Sequence, residues 1–170
     1  MSLHEAVTIG RGDVVAFVGA GGKTSAIMAC AEELVAASRR VLVATTAKMF
    51  EPALGRCQRL VLADSLDDAR RRVEEAFAEA FLVVAARERS GPASLAWLGA
   101  DYPVQLLPQK LRGVPADWLV ELAGCGAEVV LVEADDAGQR LLKAPAAHEP
   151  ALPPATTLLV PVGDSDALGK

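Results

Sequence analysis

The chain has 170 residues, of which 52% are hydrophobic and 23% charged, and its formal net charge is -5 at pH 7. This balance excludes a disordered chain. The acidic charge argues against nucleic acid as a partner, because phosphate contacts need a basic surface. No apolar run approaches the roughly 18 residues that span a membrane. We therefore expect one globular domain over residues 1–170, located in the cytoplasm without a membrane partner.

Short apolar runs rich in β-branched residues predict buried strands at Val14–Val18, Val41–Thr45, Val129–Glu133 and Leu158–Val162. Weaker strand patterns lie at Arg59–Ala63 and Phe81–Ala86. Helical patterns follow over Lys23–Ala37, after Ser65, and over Pro115–Gly126. Ser65 and Asp68, three residues later, resemble a capping box at the start of the second of these helices. This alternation predicts an α/β fold with three layers, in which a doubly wound and mostly parallel sheet binds ligands at the carboxyl ends of its strands.

The first strand runs into a glycine loop, "VVAFVGAGGKTS", that has the layout of a phosphate-binding loop. It is shorter than the usual G-x-x-x-x-G-K-[ST], because Phe17 stands where the first glycine would be. Glycines let backbone amides approach an anion, and the start of a helix adds a positive dipole. Lys23 would reach the β- and γ-phosphates, and the Thr24 hydroxyl would bind Mg²⁺. The pattern predicts Mg²⁺ with ATP or GTP at Gly19, Ala20, Gly21, Gly22, Lys23, Thr24 and Ser25.

Two other interpretations of this loop stay open. Gly19 and Gly21 fit the start of a dinucleotide fingerprint, but Thr24 occupies its third glycine position, and no acid follows the strand at Val41–Thr45 to hold a ribose. Alternatively, the loop is a plain glycine turn, on which Lys23 would lie exposed. A lysine within the loop favours the triphosphate interpretation.

The segment "VVLVEADDAG" places acids directly after a buried strand. Glu133 and Asp135 would hold Mg²⁺ together with Thr24, since Mg²⁺ prefers oxygen ligands and takes one or two carboxylates beside phosphates. Lys23, Glu133 and Asp135 are accordingly the predicted catalytic residues, one acid orienting a water or substrate. The plainer alternative is that these acids only cap a turn.

Three further segments carry candidate residues. "ATTAKMF" offers Thr45, Thr46 and Lys48 to the nucleotide, although threonines are also common at strand ends. "LLKAPAAHEP" offers Lys143 as a phosphate contact and His148 as a catalytic residue; the other histidine lies in a start expected to be mobile. "LLPQKLRGVP" is predicted to be a loop, either a solvated connector or an anion site.

Taken in order, "VGAGGKTS", "TTAKM", "KLRG", "LVEADDAG", "LKAPAAHEP" and "VGDSDALGK" resemble the YqeC family, accessory proteins of selenium-dependent molybdenum hydroxylases. The resemblance implies a P-loop NTPase-like protein and singles out the loop, threonine, acid, lysine and histidine positions given above. It also implies a molybdenum hydroxylase, or its cofactor-assembly proteins, as partner. Because members of the family usually continue further, we expect this chain to be truncated at its C-terminus.

These observations leave two classes of function open. One is an NTPase, phosphotransferase or ATP-dependent ligase that turns nucleotide over by itself. The other is a protein with little turnover. It would be an assembly factor in which nucleotide orders Thr45–Phe50 and Gln139–Pro150, or a carrier of a phosphorylated pterin-type cofactor. The sequence does not decide the base or the oligomeric state.

Overall fold

A computed structural model describes residues 2–52, 56–92, 109–135, 150 and 152–163. Its elements in chain order are α1 (Leu3–Ala6), β1 (Val14–Gly19), α2 (Lys23–Ala36), β2 (Val41–Thr45), β3 (Lys48–Phe50), β4 (Arg59–Leu62), α3 (Leu66–Phe77), β5 (Leu82–Ala86), β6 (Glu88–Pro92), β7 (Gln109–Arg112), α4 (Trp118–Leu122), β8 (Val129–Glu133) and β9 (Leu158–Val162). None of the helices within these described ranges is long and apolar enough to cross a membrane.

Six strands form one parallel sheet in the order β4-β5-β2-β8-β1-β9. All six were predicted from their apolar runs, with bounds that agree to within one residue. The register sets Glu133 of β8 level with Phe17 of β1 on one side and with Thr45 of β2 on the other. The last residue of β8 therefore lies between the carboxyl ends of β1 and β2.

Helices cover both faces of this sheet. Alternate sheet residues point to opposite sides: Val15, Val43 and Leu131 pack with α2, whereas Leu42, Val83 and Val130 pack with α3 and α4. The result is the predicted three-layer α/β architecture. Each strand in the middle of the sheet reads as a continuous apolar run because it is buried on both faces.

A small antiparallel sheet, in the order β3-β7-β6, lies beyond the carboxyl ends of the main strands. The prediction that 106–115 is a loop is wrong for β7, and β3 and β6 were not predicted. Met49 and Leu111 are both buried and alternate with less buried neighbours, which is the strand period. Strands of three and four residues carry too little of that period to be recognised in a sequence.

The start of the chain is anchored, contrary to the expectation that it is mobile. The backbone amides of Leu3 and His4 donate to the Glu33 carboxylate of α2 at 3.0 and 2.9 Å. The His4 ring nitrogen Nδ1 also lies 3.0 Å from Glu33. Glu33 lies outside the apolar face that the sequence pattern predicts for α2. Only the tertiary structure therefore reveals this contact.

Candidate functional site

At the carboxyl ends of β1, β8 and β2, the connections between strands change direction along the sheet. From β1 the chain passes through α2 to β2, on the far side of β8, whereas β8 connects to β9, on the far side of β1. In open α/β sheets, ligands bind in the crevice that such a reversal leaves between the loops. The glycine loop lies at this point.

The loop adopts a conformation that depends on its glycines. Gly19, Gly21 and Gly22 have φ angles of 101°, 64° and 68°, in the left-handed region. A side chain on Gly19 would place its Cβ 2.3 Å from the carbonyl oxygen of Val162 in β9. That same carbonyl accepts a hydrogen bond from the amide of Ala20 at 3.0 Å. The end of β9 thus fixes the entry to the loop.

The first turn of α2 lacks a side-chain cap, in contrast with α3. Ser65 caps α3 by accepting a hydrogen bond from the amide of Asp68 at 3.4 Å, as its sequence predicts. At the start of α2 the capping position is Gly22, which has no side chain to offer. The first amides of an α-helix have no partner within the helix, so α2 presents donors and a positive dipole end at the loop.

Lys23 is buried, with 3% of its surface exposed, and the expectation that it lies exposed is wrong. Its ammonium donates to the carbonyl of Gly19 at 2.6 Å and lies 2.9 Å from the Asp135 carboxylate oxygen Oδ1. The lysine is the first residue of α2, so its long side chain folds back under the loop. The acid that receives it comes from the segment after β8, which the local sequence around Lys23 cannot reveal.

Asp135 is held by the Gly19 amide and by the ammonium of Lys23. Its Oδ2 accepts a hydrogen bond from the amide of Gly19 at 2.9 Å, and the residue is only 5% exposed. Its buried Oδ1 faces the ammonium of Lys23 but, among the residues that the structure describes, receives no hydrogen bond of good geometry. A carboxylate therefore already occupies an anion-binding position formed by one loop amide and the lysine.

Glu133 and Thr24 form the second contact between β8 and the loop. The Thr24 hydroxyl donates to Glu133 Oε2 at 2.7 Å, and Glu133 is 6% exposed. The backbone carbonyl of Glu133 accepts from the Thr45 hydroxyl and the Thr46 amide, both at 3.0 Å. Thr45 also accepts from the amide of Ala47 at 3.1 Å, so its hydroxyl is already used in joining β8 to the turn after β2.

The oxygen groups at this site fit Mg²⁺ bound with a nucleotide. Thr24, Glu133 and Asp135 bring one hydroxyl and two carboxylates to the loop. Among the described residues, no group of three or more histidine, cysteine, aspartate or glutamate side chains could hold a metal by itself. A cation here would take its remaining ligands from phosphate and water, as Mg²⁺ usually does in proteins.

The other predicted residues separate into two groups. Ser25 is exposed on α2, and Lys48 is exposed on β3. Lys143 and His148 lie outside the described residues. The structure thus brings together the loop, Lys23, Thr24, Thr45, Thr46, Glu133 and Asp135, and sets Lys48 on the small sheet beside them.

One position was missed by the sequence interpretation. Gly113, after β7, lies against the turn that follows β2, and a Cβ there would come within 2.5 Å of the carbonyl oxygen of Thr45. Its amide donates to Ala47 at 2.8 Å. The sequence does show a glycine directly after "KLR". A glycine at the end of a loop, however, does not indicate which part of the backbone it approaches.

The sequence model described as "YqeC protein" matches residues 15–170. The chain belongs to the YqeC family. A protein of Escherichia coli (strain K12), described as "Uncharacterized protein YqeC", is 31% identical over 169 residues, covering 94% of this chain. The chain spans about half the length of that YqeC relative, 54%. No solved structure matches. The YqeC match covers the glycine loop and both acids, so the candidate site lies within the shared sequence.

Proposed function

We propose that this chain binds a Mg²⁺-nucleoside triphosphate at the loop from Gly19 to Thr24. The observation that carries the proposal is the position of Asp135, whose carboxylate is held jointly by the Gly19 amide and the Lys23 ammonium. A glycine turn with a purely structural role would not need a buried cation and a loop amide to converge on one anion. A γ-phosphate carries more charge than a carboxylate and would compete for the same donors.

In this proposal each contact has a chemical role. Lys23 and the amides at the start of α2 would hold the β- and γ-phosphates. Thr24 and Glu133 would hold Mg²⁺, which neutralises negative charge on the phosphate oxygens. Asp135, once displaced from Lys23, would orient a water or a second substrate. Catalysis would then be positioning and charge stabilisation, as in phosphoryl transfer generally.

A second candidate function is a nucleotide-controlled switch, and the same contact favours it. Because Asp135 and a phosphate compete for Gly19 and Lys23, binding must move Asp135. Asp135 directly precedes residues 136–149 in the sequence, and this segment contains the candidate residues Lys143 and His148. The family resemblance makes a maturing selenium- or molybdenum-dependent hydroxylase the partner that we propose for such a switch.

The test is calorimetric titration of ATP and GTP, each with and without Mg²⁺, into the wild-type chain and Thr24→Val. Lys110→Gln is the control, because it removes a half-buried cation that lies over the Phe50 ring of the neighbouring small sheet. We expect Mg²⁺-dependent binding of one nucleotide. Loss of the hydroxyl should remove the Mg²⁺ dependence, and the control should leave it intact. Equal binding with and without Mg²⁺ in the wild type would contradict the proposal.

Asp135→Asn separates the two candidate functions. Without Mg²⁺, the variant should bind nucleotide more tightly than the wild type, because the competing charge at Lys23 is gone. If Asp135 also serves turnover, phosphate release by the variant should fall while binding improves. A switch with little turnover predicts the improved binding alone. Weaker binding without Mg²⁺ would show that Asp135 does not compete with phosphate.

A further inference from the structure

We propose that a cleft between the small sheet and the end of β2 binds the anionic group of a small co-ligand, a carboxylate or a phosphate. The cleft has a volume of about 280 Å³ and is lined by Thr46, Ala47, Lys48, Arg112 and Gly113. The inference deepens the proposed function, and it rests on that function for the neighbouring nucleotide. It assigns the class of the second ligand.

The cleft adjoins the phosphate loop through short contacts. The amide of Thr46, at its edge, donates to the Glu133 carbonyl at 3.0 Å. The carboxylate of that same Glu133 accepts from Thr24 in the loop at 2.7 Å. Glu133 therefore connects the edge of the cleft with the predicted Mg²⁺ site, and a ligand in the cleft would lie beside that site.

The cations on the cleft are arranged in a way that costs stability. Lys48 of β3 and Arg112 of β7 are direct cross-strand partners, and like charges in that position are destabilising. Glu88 of β6 lies 3.1 Å from Arg112 and offsets one of the two charges. Within the described parts of the chain, Lys48 forms no ion pair. The surplus positive charge faces the cleft, and an anion between the two cations would relieve it.

The shape of the cleft depends on Gly113. Its Cα lies so close to the turn after β2 that an added Cβ would be 2.6 Å from the carbonyl carbon of Thr46 and 2.8 Å from the amide nitrogen of Ala47. The backbone of residues 112–114 is thereby held against the turn, with Val114 donating to Thr45 at 2.9 Å. Lys48 and Arg112 consequently border a concave surface with a fixed backbone floor.

The volume limits what can bind. About 280 Å³ is at the small end of ligand sites in proteins, so a peptide or nucleic acid strand is excluded from the interior. An ammonium and a guanidinium both bind carboxylates and phosphates, the guanidinium in a bidentate manner. The ligand is thus a small molecule with one such group.

The test uses sodium acetate and inorganic phosphate as separate probes, with amide chemical shifts measured by NMR in the presence of Mg²⁺ and the preferred nucleotide. In the wild type, we expect the amides of Thr46 and Gly113 to shift with either or both probes. Lys48→Gln and Arg112→Gln should each weaken binding about tenfold, the usual size of a lost charged hydrogen bond. Lys110→Gln should leave binding unchanged, because Lys110 lies over the Phe50 ring at 5.4 Å and does not line the cleft.

The two probes distinguish a carboxylate ligand from a phosphate ligand, and the location of the shifts distinguishes this site from the loop. The titrations are repeated without nucleotide in Thr24→Val. Shifts at Thr46 and Gly113 that depend on Lys48 would support the cleft even if no nucleotide binds, and only the proposed function would then fail. No shift at these amides in the wild type, or equal binding in Lys48→Gln and wild type, would overturn the inference.

Discussion

Charged side chains differ in exposure between the two ends of the strands of the main sheet, here called the amino edge and the carboxyl edge. At the amino edge, Arg11 lies 2.7 Å from Glu128, with the two side chains 70% and 16% exposed, so water solvates the guanidinium. At the carboxyl edge, Lys23 lies 2.9 Å from Asp135 with the two side chains 3% and 5% exposed. A pair with one exposed partner is screened by water and contributes little. A buried pair must offset the desolvation of two charges and is weak support for stability alone.

This difference agrees with the proposal that a ligand binds at the carboxyl edge. Charges that serve only solubility or modest stabilisation can stay in water, as at Arg11. The burial of Lys23 and Asp135 beneath a glycine loop makes sense if the lysine is held ready for a charged ligand. Matched substitutions on the two edges test this difference.

The largest effect is expected from the ion pairs. Lys23→Ala leaves the Asp135 carboxylate buried without its cation, which should lower the free energy of unfolding by about 3–5 kcal/mol. Arg11→Ala should lower it by at most about 1 kcal/mol. Urea unfolding of both variants at pH 7 measures the difference. Adding Asp135→Asn to Lys23→Ala should restore part of the loss, and similar costs at both edges would contradict the comparison.

The next effect is expected from two glycines in the left-handed region. Gly19→Ala at the carboxyl edge combines a φ of 101° with a 2.3 Å clash against Val162, so it should cost about 3 kcal/mol or more. Gly12→Ala at the amino edge has a φ of 86° but open space, and should cost about 1–2 kcal/mol. Thermal and urea unfolding check both values. Equal costs would mean that β9 does not fix the loop.

The smallest effect is expected from Glu33 near the amino edge. Hydrogen bonds from the His4 and Leu3 amides lower the pKa of this carboxyl to about 2, from an ordinary 4.5. A lowered folded-state pKa means that its stabilisation is complete above pH 4.5 and is lost as the pH falls towards 2. Urea unfolding of the wild type and Glu33→Gln between pH 6 and pH 2 should converge at low pH. A constant gap between them would show that the anchor of α1 does not depend on the charge.

Features that depend on residues close together in the sequence were predicted, and features that depend on distant residues were not. The six strands of the main sheet and the cap of α3 at Ser65 were predicted correctly, because apolar runs and capping residues act over a few neighbouring positions. The glycine turn after β1 was predicted for the same reason. The strands β3, β6 and β7 were not, since each is short and is stable only when paired within the small sheet.

Local sequence patterns account for the α/β alternation, the glycine loop at the end of β1 and the acids at the end of β8. The tertiary structure adds that Lys23 is buried against Asp135, that the Val162 carbonyl leaves no room for a side chain at Gly19, and that Lys48 and Arg112 are cross-strand partners beside a cleft. The physical reason is that each of these contacts joins residues far apart along the chain. Their burial and charge depend on where the sheet order brings the strand ends together, which no local pattern encodes.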